Sequence, residues 1–141
     1  TNYSDQYAKA VDLKTLQQQA NIISLHVPLT TETKYMVDEI FFQELKLGVV
    51  IINASRGPVL KTSSLIQAIQ SGKVACAALD VLENEKIAEL NAIQQQEFDQ
   101  LCIENKVLLT SHIAGWTKES YYKIAEILAQ KTINFFEKVT F

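Results

Sequence analysis

The sequence predicts an α/β fold in which a doubly wound parallel sheet is flanked by helices. Three observations lead to this class. Four short apolar runs occur along the chain, segments with helical spacing separate them, and no run alternates strictly between apolar and polar residues. Strands without such alternation are typical of a sheet covered on both faces, and strands that alternate with helices are typical of parallel sheets with right-handed connections.

The four apolar runs have the length of strands rather than of helices. The predicted strands span residues 22–27, 49–52, 74–79 and 107–110.

Helical segments lie before and between these strands. An amphipathic stretch covers residues 13–20, and Asp38 is predicted to cap a helix over 39–46. Thr62 or Ser63 can cap a helix that Gly72 ends. Two longer helices are predicted at about 87–103 and 118–136, the second with apolar positions at Tyr121 and Leu128.

Composition excludes several classes of protein. The 141 residues, 48% hydrophobic and 21% charged, fit one globular domain. The net charge of −3 and the scattered lysines argue against a nucleic-acid binder. No apolar run approaches the roughly 18 residues of a membrane span and no leader is recognisable, so we expect a soluble, cytoplasmic protein. Cys76 and Cys102 are predicted to be reduced core residues, and no metal site is indicated.

Polar or ionisable residues follow each predicted strand. The first strand leads into His26, Val27 and Pro28, the second into Ser55 and Arg56, the third into Asp80, Glu83 and Glu85, and the fourth into His112. In an open parallel sheet, ligands bind beyond the carboxyl ends of the strands. We therefore expect these residues to gather at one edge of the sheet.

The residue types at this edge suit a small anionic substrate. Arg56 offers a planar, permanently charged fork that can hold a carboxylate, and His112, with an ordinary pKa of ~6.5, can exchange a proton near neutrality. A carboxylate from the loop after the third strand, placed against the His112 ring, would favour the imidazolium. Asp80 could accept a hydrogen bond from an amide such as that of nicotinamide.

Each of these residues also has a simpler interpretation. Taken alone, His112 is more often a structural histidine and Asp80 a helix or turn cap. Glu85 could equally be a solvated acid and Arg56 half of a surface ion pair. His26 is assigned to structure or to the lining of the crevice.

Four segments together resemble the D-isomer-specific 2-hydroxyacid dehydrogenases. They are LHVPLTTET at 25–33, GVVIINASRGPV at 48–59, SGKVACAALDVLENE at 71–85 and LLTSHIAGWTKES at 108–120. These motifs span nearly the whole chain, and four in the correct order are more specific than any one. The resemblance implies a partial Rossmann-type cofactor domain and NAD as the cofactor.

The resemblance also implies a role for individual residues. Arg56 would bind the carboxylate and carbonyl oxygen of a small 2-hydroxy or 2-oxo acid, and His112 would be the acid/base. The family pattern implies Glu85, rather than Glu83, as the partner of His112. Asp80 would hold the nicotinamide carboxamide. The remaining cofactor contacts, together with Arg56 and His112, would come from Val27, Pro28, Ala54, Ser55 and Gly115.

The chain departs from the family pattern in three respects, one of which is a longer interval between Glu85 and His112. Lys61 stands where the family usually has an acidic helix cap, which we expect to cost little because Thr62 is adjacent. The four glycines cannot form the G-x-G-x-x-G loop that binds the pyrophosphate. We therefore expect residues 1–141 to be the second, nicotinamide-side half of the cofactor domain, without the Gly-rich loop or substrate domain, inactive alone and without tight NADH binding.

Other properties follow from the family more loosely. The intact protein is expected to be a homodimer with no membrane or nucleic-acid partner, and D-3-phosphoglycerate or glycerate is the preferred substrate. NAD over NADP is a family default. Two alternatives remain open: a sensing or corepressor module of the same fold, and a structural half-domain whose exposed edge strand drives self-association.

Overall fold

The computed structural model describes residues 4–138, except for the side chain of Lys138. These residues belong to two compact units, 1–111 and 112–141. The first contains four strands and four α-helices, and the second contains one long helix.

The first unit is an alternating series of helices and strands. Its strands form one sheet in the order β1-β2-β3-β4, and all neighbouring strands are parallel. Short 3₁₀ turns follow β2 at Gly57–Val59 and β3 at Ile87–Glu89. This arrangement confirms the predicted α/β class with its Rossmann-like parallel sheet. The elements are α1 Leu13–Gln19, β1 Ile22–Leu25, α2 Glu39–Gln43, β2 Val49–Asn53, α3 Thr62–Gln70, β3 Val74–Leu79, α4 Ala92–Ile103 and β4 Val107–Leu109.

The hydrophobic core of the first unit lies on one face of this sheet. Ile23 and Ile51 point into the core, where α3 packs against β3 and α2 packs against α3. On the other face Ile22 is 60% exposed and Leu108 63% exposed. Coverage of both faces was therefore predicted wrongly for the described part of this unit. Right-handed connections between strands laid down in chain order place their helices on the same side, which explains the difference.

Of the five predicted helix starts, those at residues 13, 39 and 118 agree with the structure, and the other two do not. The carboxylate of Asp38 accepts a hydrogen bond from the Phe41 amide at 3.0 Å, which confirms the cap of α2. The capping role of Thr62 or Ser63 is wrong, because Thr62 is already helical and the N-cap is Lys61. The single helix over 87–103 is also wrong. A 3₁₀ turn comes first, and α4 then starts from a capping box between Asn91 and Gln94.

The second unit consists mainly of α5, Lys118–Lys138. The helix agrees with the predicted 118–136, yet its apolar positions Tyr121 and Leu128 are exposed. None of the helices in residues 4–138 is both long and apolar enough to cross a membrane. Of the two thiols, both free, Cys76 is half-buried, whereas Cys102 is exposed and its assignment to the core is wrong. Its neighbour Leu101 fills the core position of α4 instead.

Candidate active site

The loops after β1 and β2 enclose an open cleft at the carboxyl edge of the sheet. The last residues of the two strands, Leu25 and Asn53, are register partners, so the loops begin side by side. The cleft has a volume of about 510 Å³. It is lined by His26, Val27, Pro28, Leu29, Ala54, Ser55 and Arg56.

Five residues predicted to contact cofactor or substrate therefore share one cleft in the first unit: Val27, Pro28, Ala54, Ser55 and Arg56. His26 also lines it, and its Nε2 lies 2.8 Å from the Ser24 hydroxyl. Of the two roles predicted for His26, structural or crevice-lining, its position agrees with the second.

Asn53 shapes the arginine loop from inside the protein. This last residue of β2 is only 1% exposed. Its side-chain amide donates to the Arg56 carbonyl oxygen at 3.2 Å, and its oxygen accepts from the amide and hydroxyl of Ser55 at 3.1 and 2.9 Å. Asn53 was not predicted as a site residue, although an Asn-Ala-Ser sequence at a strand end is a signal for a side-chain-closed turn.

Arg56 is exposed at the end of this loop and has an extended backbone. Its Nη1 donates to the Ser55 carbonyl oxygen at 2.6 Å. The next residue, Gly57, packs so closely that a Cβ atom there would lie 1.7 Å from the carbonyl oxygen of Leu82. The close contact between the backbones of Gly57 and Leu82 therefore fixes the path of the chain directly after Arg56.

Asp80 occupies the equivalent position after β3. Its side chain is buried, and its Oδ1 accepts a hydrogen bond from the Thr110 hydroxyl at 2.5 Å. Its amide donates to the Asn53 carbonyl oxygen at 2.9 Å. Asp80 is thus held between the ends of β2 and β4.

The two glutamates that follow β3 have different surroundings. The carboxylate of Glu83 accepts hydrogen bonds from the Tyr35 hydroxyl at 2.7 Å and from the Thr62 amide at 2.9 Å. Glu85 is exposed two residues further along the loop. Glu83 is therefore engaged with two other segments of the first unit, while Glu85 stands at the surface of the same loop.

His112 and Gly115 belong to the second unit, where both are exposed. His112 has a φ of +58°, in the left-handed region that few residues other than glycine adopt. Such strained backbone conformations cluster at functional sites. The roles assigned to Arg56, Glu85 and His112 as a catalytic group remain predictions.

Residues 1–114 match the family model described as D-isomer specific 2-hydroxyacid dehydrogenase, NAD binding domain. Among curated proteins, D-3-phosphoglycerate dehydrogenase of Archaeoglobus fulgidus is 37% identical over 126 residues, which cover 89% of this chain and 22% of that protein. Glyoxylate reductase of Thermofilum pendens is 38% identical, covering 86% and 34%. D-lactate dehydrogenase of Escherichia coli is 35% identical, covering 88% and 39%.

Solved structures give the same result. D-lactate dehydrogenase from Aquifex aeolicus, complexed with NAD and lactic acid, superposes with a TM-score of 0.74 at 33% identity and covers 90% of this chain and 40% of that one. D-lactate dehydrogenase with NAD⁺ from Lactobacillus jensenii has a TM-score of 0.74 at 34% identity, covering 87% and 38%. The chain thus spans two fifths or less of these relatives. It belongs to the family of D-isomer specific 2-hydroxyacid dehydrogenases.

Proposed function

We propose that this chain is the nicotinamide-side half of the cofactor domain of an NAD-dependent oxidoreductase. The complete protein would transfer a hydride between NAD(H) and a D-2-hydroxy acid or 2-oxo acid. The observation that carries this proposal is the cleft of about 510 Å³ between the loops after β1 and β2, which combines cofactor-type lining with the Arg56 guanidinium. Parallel α/β sheets bind ligands at this edge.

The residues around the cleft fit a nicotinamide cofactor. Val27, Pro28 and Ala54 are small or apolar and leave room for a flat ring, while Ser55 adds a hydroxyl at the rim. Asp80, held at the neighbouring strand end, offers an acceptor for a carboxamide, and Gly115 completes the proposed set. When bound, NAD supplies the nicotinamide carbon that gives or takes the hydride.

The side chains of this chain then have distinct tasks. Arg56 holds the substrate carboxylate and orients the carbonyl through its planar fork of donors. His112 donates a proton to the carbonyl oxygen during reduction and removes it during oxidation. Glu85 stabilises the protonated form of His112 and orients its ring.

The remaining parts of the proposal concern the complete protein. We propose that a Gly-rich loop and a substrate domain come from outside residues 1–141, and that the protein is a cytoplasmic homodimer. The relatives named for phosphoglycerate, glyoxylate and lactate are similarly distant from this chain, at 35–38% identity. D-3-phosphoglycerate and glycerate are our preferred substrates, on the similarity of residues 111–120.

The direct test is an enzyme assay of the complete protein, expressed from the full reading frame that encodes this chain. Oxidation of NADH is followed with phosphohydroxypyruvate, hydroxypyruvate, glyoxylate and pyruvate. We expect turnover of at least one of these acids, and its loss in Arg56→Gln. Lys9→Gln, which removes an exposed lysine, serves as the control. A protein that neither binds nor oxidises NADH with any of the four acids contradicts the proposal.

A further inference from the structure

The carboxylate of Glu83 connects two loops and the start of helix α3. Glu83 lies in the loop after β3, Tyr35 in the loop between β1 and α2, and Thr62 at the start of α3. Glu83 Oε1 accepts from the Tyr35 hydroxyl at 2.7 Å, and Oε2 accepts from the Thr62 amide at 2.9 Å. We call these three residues the Glu83 junction.

The junction completes the amino end of α3. The first amides of a helix lack partners within the helix, and a side chain at the N-cap usually supplies one. Lys61 occupies the N-cap and makes no such hydrogen bond. Glu83 supplies the acceptor from another loop instead, and its negative charge is favourable beside a helix amino end.

The junction also encloses the segment that leads away from Arg56. The backbone at Gly57 lies directly against Leu82 and Glu83, with an added Cβ 2.8 Å from the Glu83 amide nitrogen. From the other side, the Tyr35 amide donates to the Pro58 carbonyl oxygen at 2.8 Å. The loop that contains Glu83 and the loop that contains Tyr35 therefore both hold the segment 57–62, by hydrogen bonds or by close packing.

The surroundings of Glu83 keep its carboxylate half-buried. It lines a cavity of about 30 Å³, large enough for a water molecule, together with Thr62, Asn84 and Glu97. Burial, and next the charge of Glu83, raises the pKa of Glu97, against the opposing effect of Lys61. Thr62 is only 9% exposed, so removing the Glu83 acceptor leaves the Thr62 amide with little access to water, whereas the more exposed Tyr35 hydroxyl can bond to solvent. An unsatisfied buried donor costs more than a hydrogen bond contributes.

We propose that Glu83 is a positioning residue for substrate binding: it ties the loops after β1 and β3 to α3 and so holds the segment that presents Arg56. Glu83 itself touches neither substrate nor cofactor in this account. The inference rests on the proposed function, because Arg56 must bind the substrate carboxylate for its position to affect kinetics.

The kinetic test uses the complete protein, NADH and its best 2-oxo acid. Glu83→Ala is expected to raise KM for the acid by about 10- to 100-fold, with a smaller change in kcat, because a displaced guanidinium binds the carboxylate poorly. Glu83→Gln keeps an oxygen acceptor for the Thr62 amide and is expected to restore most of the affinity. Tyr35→Phe removes one hydroxyl without opening a cavity, and an intermediate increase in KM is expected.

A core variant separates positioning from simple loss of stability. Ile69→Val shortens a buried side chain at the far end of α3 and is expected to lower Tm while KM stays unchanged. Unchanged KM in both Glu83→Ala and Tyr35→Phe would overturn the inference. So would an equal rise in KM in Ile69→Val, since the effect would then follow stability alone.

Amide hydrogen exchange tests the junction without catalysis. Faster exchange at Thr62 and in segment 57–60 is expected for Glu83→Ala, with Glu83→Gln close to wild type. Unchanged exchange at Thr62 would contradict the hydrogen bond on which the inference rests. If the wild-type protein oxidises NADH with no 2-oxo acid, the proposed function fails, and exchange alone then decides whether Glu83 holds the loop.

Discussion

The two units of the chain place their apolar residues differently. In the first unit each of β1, β2 and β3 contributes buried side chains to one core, which α2, α3 and α4 also enter. In α5 of the second unit the large apolar side chains are exposed along the helix. They are Tyr121, Tyr122, Ile124, Ile127, Leu128, Ile133, Phe135 and Phe136.

This difference shows that an apolar sequence pattern can predict a helix without showing which surface stabilises it. A helix in water gains most of its stability by packing an apolar face, and isolated helices are marginal. The first unit has the core that such packing requires. The sequence pattern of α5 predicts a helix correctly, yet it does not say which surface its apolar side chains meet.

The largest expected loss of stability comes from a substitution at Gly57 in the first unit. In Gly57→Ala the new Cβ atom would lie 1.7 Å from the Leu82 carbonyl oxygen, and no side-chain rotation relieves a clash with backbone. We expect a loss of more than about 4 kcal/mol in unfolding free energy, or no folded protein. Denaturant unfolding followed by circular dichroism measures it.

Gly48→Ala is the matched control for this substitution. Gly48 has a φ of +78° and open space around its Cβ position, so only backbone strain opposes alanine there. We expect a cost of about 1–2 kcal/mol. Equal stabilities of the two alanine variants would show that the contact between Gly57 and Leu82 is not as close as described.

The second prediction compares one leucine from each unit. Leu65 in α3 is fully buried, whereas Leu128 in α5 is 63% exposed. Leu65→Ala is expected to lower the free energy of unfolding by about 2–5 kcal/mol, because it leaves a cavity in the core. Leu128→Ala is expected to change it by less than about 0.5 kcal/mol. A large loss in Leu128→Ala would mean that α5 packs against another surface in solution.

The smallest expected effect depends on pH. Because burial and then Glu83 raise the pKa of Glu97 above its ordinary value of 4.5, the native state disfavours the ionised carboxylate. At neutral pH Glu97 is charged in both states, and only the native state carries this penalty. Glu97→Gln should therefore raise stability at pH 7, and the gain should disappear as pH falls below about 4, where the carboxyl is protonated in both states.

Urea unfolding at pH 7 and at a pH below about 4 measures the change in stability caused by Glu97→Gln. Glu126→Gln in the exposed helix α5 is the control. We expect no comparable pH-dependent gain from the control. A Glu97→Gln variant that is less stable than wild type at pH 7 would contradict the cause assigned to the pKa shift.

Local signals in the sequence were sufficient for most of the first unit. The strand at Val74–Leu79 has the predicted bounds, and the other three differ by one or two residues at one end. The Asp38 cap was readable because its partner amide lies three residues away. The capping box at Asn91 and Gln94 was equally local and was overlooked within a longer helical pattern.

Long-range contacts could not be read in this way. The hydrogen bond from Tyr35 to Glu83 joins residues 48 positions apart, and that from Thr62 to Glu83 joins residues 21 apart. Sequence spacing alone therefore placed the cap of α3 on Thr62 or Ser63, whose side chains are typical of helix caps. The cleft residues were predictable because parallel strands bring their carboxyl ends to one edge. The proposed catalytic roles of Glu85 and His112 go beyond that rule.

The central proposal is that the complete protein needs both the Arg56 guanidinium and the His112 imidazole to reduce its substrate. It is tested most directly by kcat/KM for NADH-dependent reduction of a 2-oxo acid in wild type, Arg56→Gln, His112→Gln and the double variant of the complete protein. Each single change is expected to lower kcat/KM by at least about 100-fold, and the double variant by much less than the product of the two. Wild-type kcat/KM in either single variant, or losses that multiply in the double, would contradict this proposal.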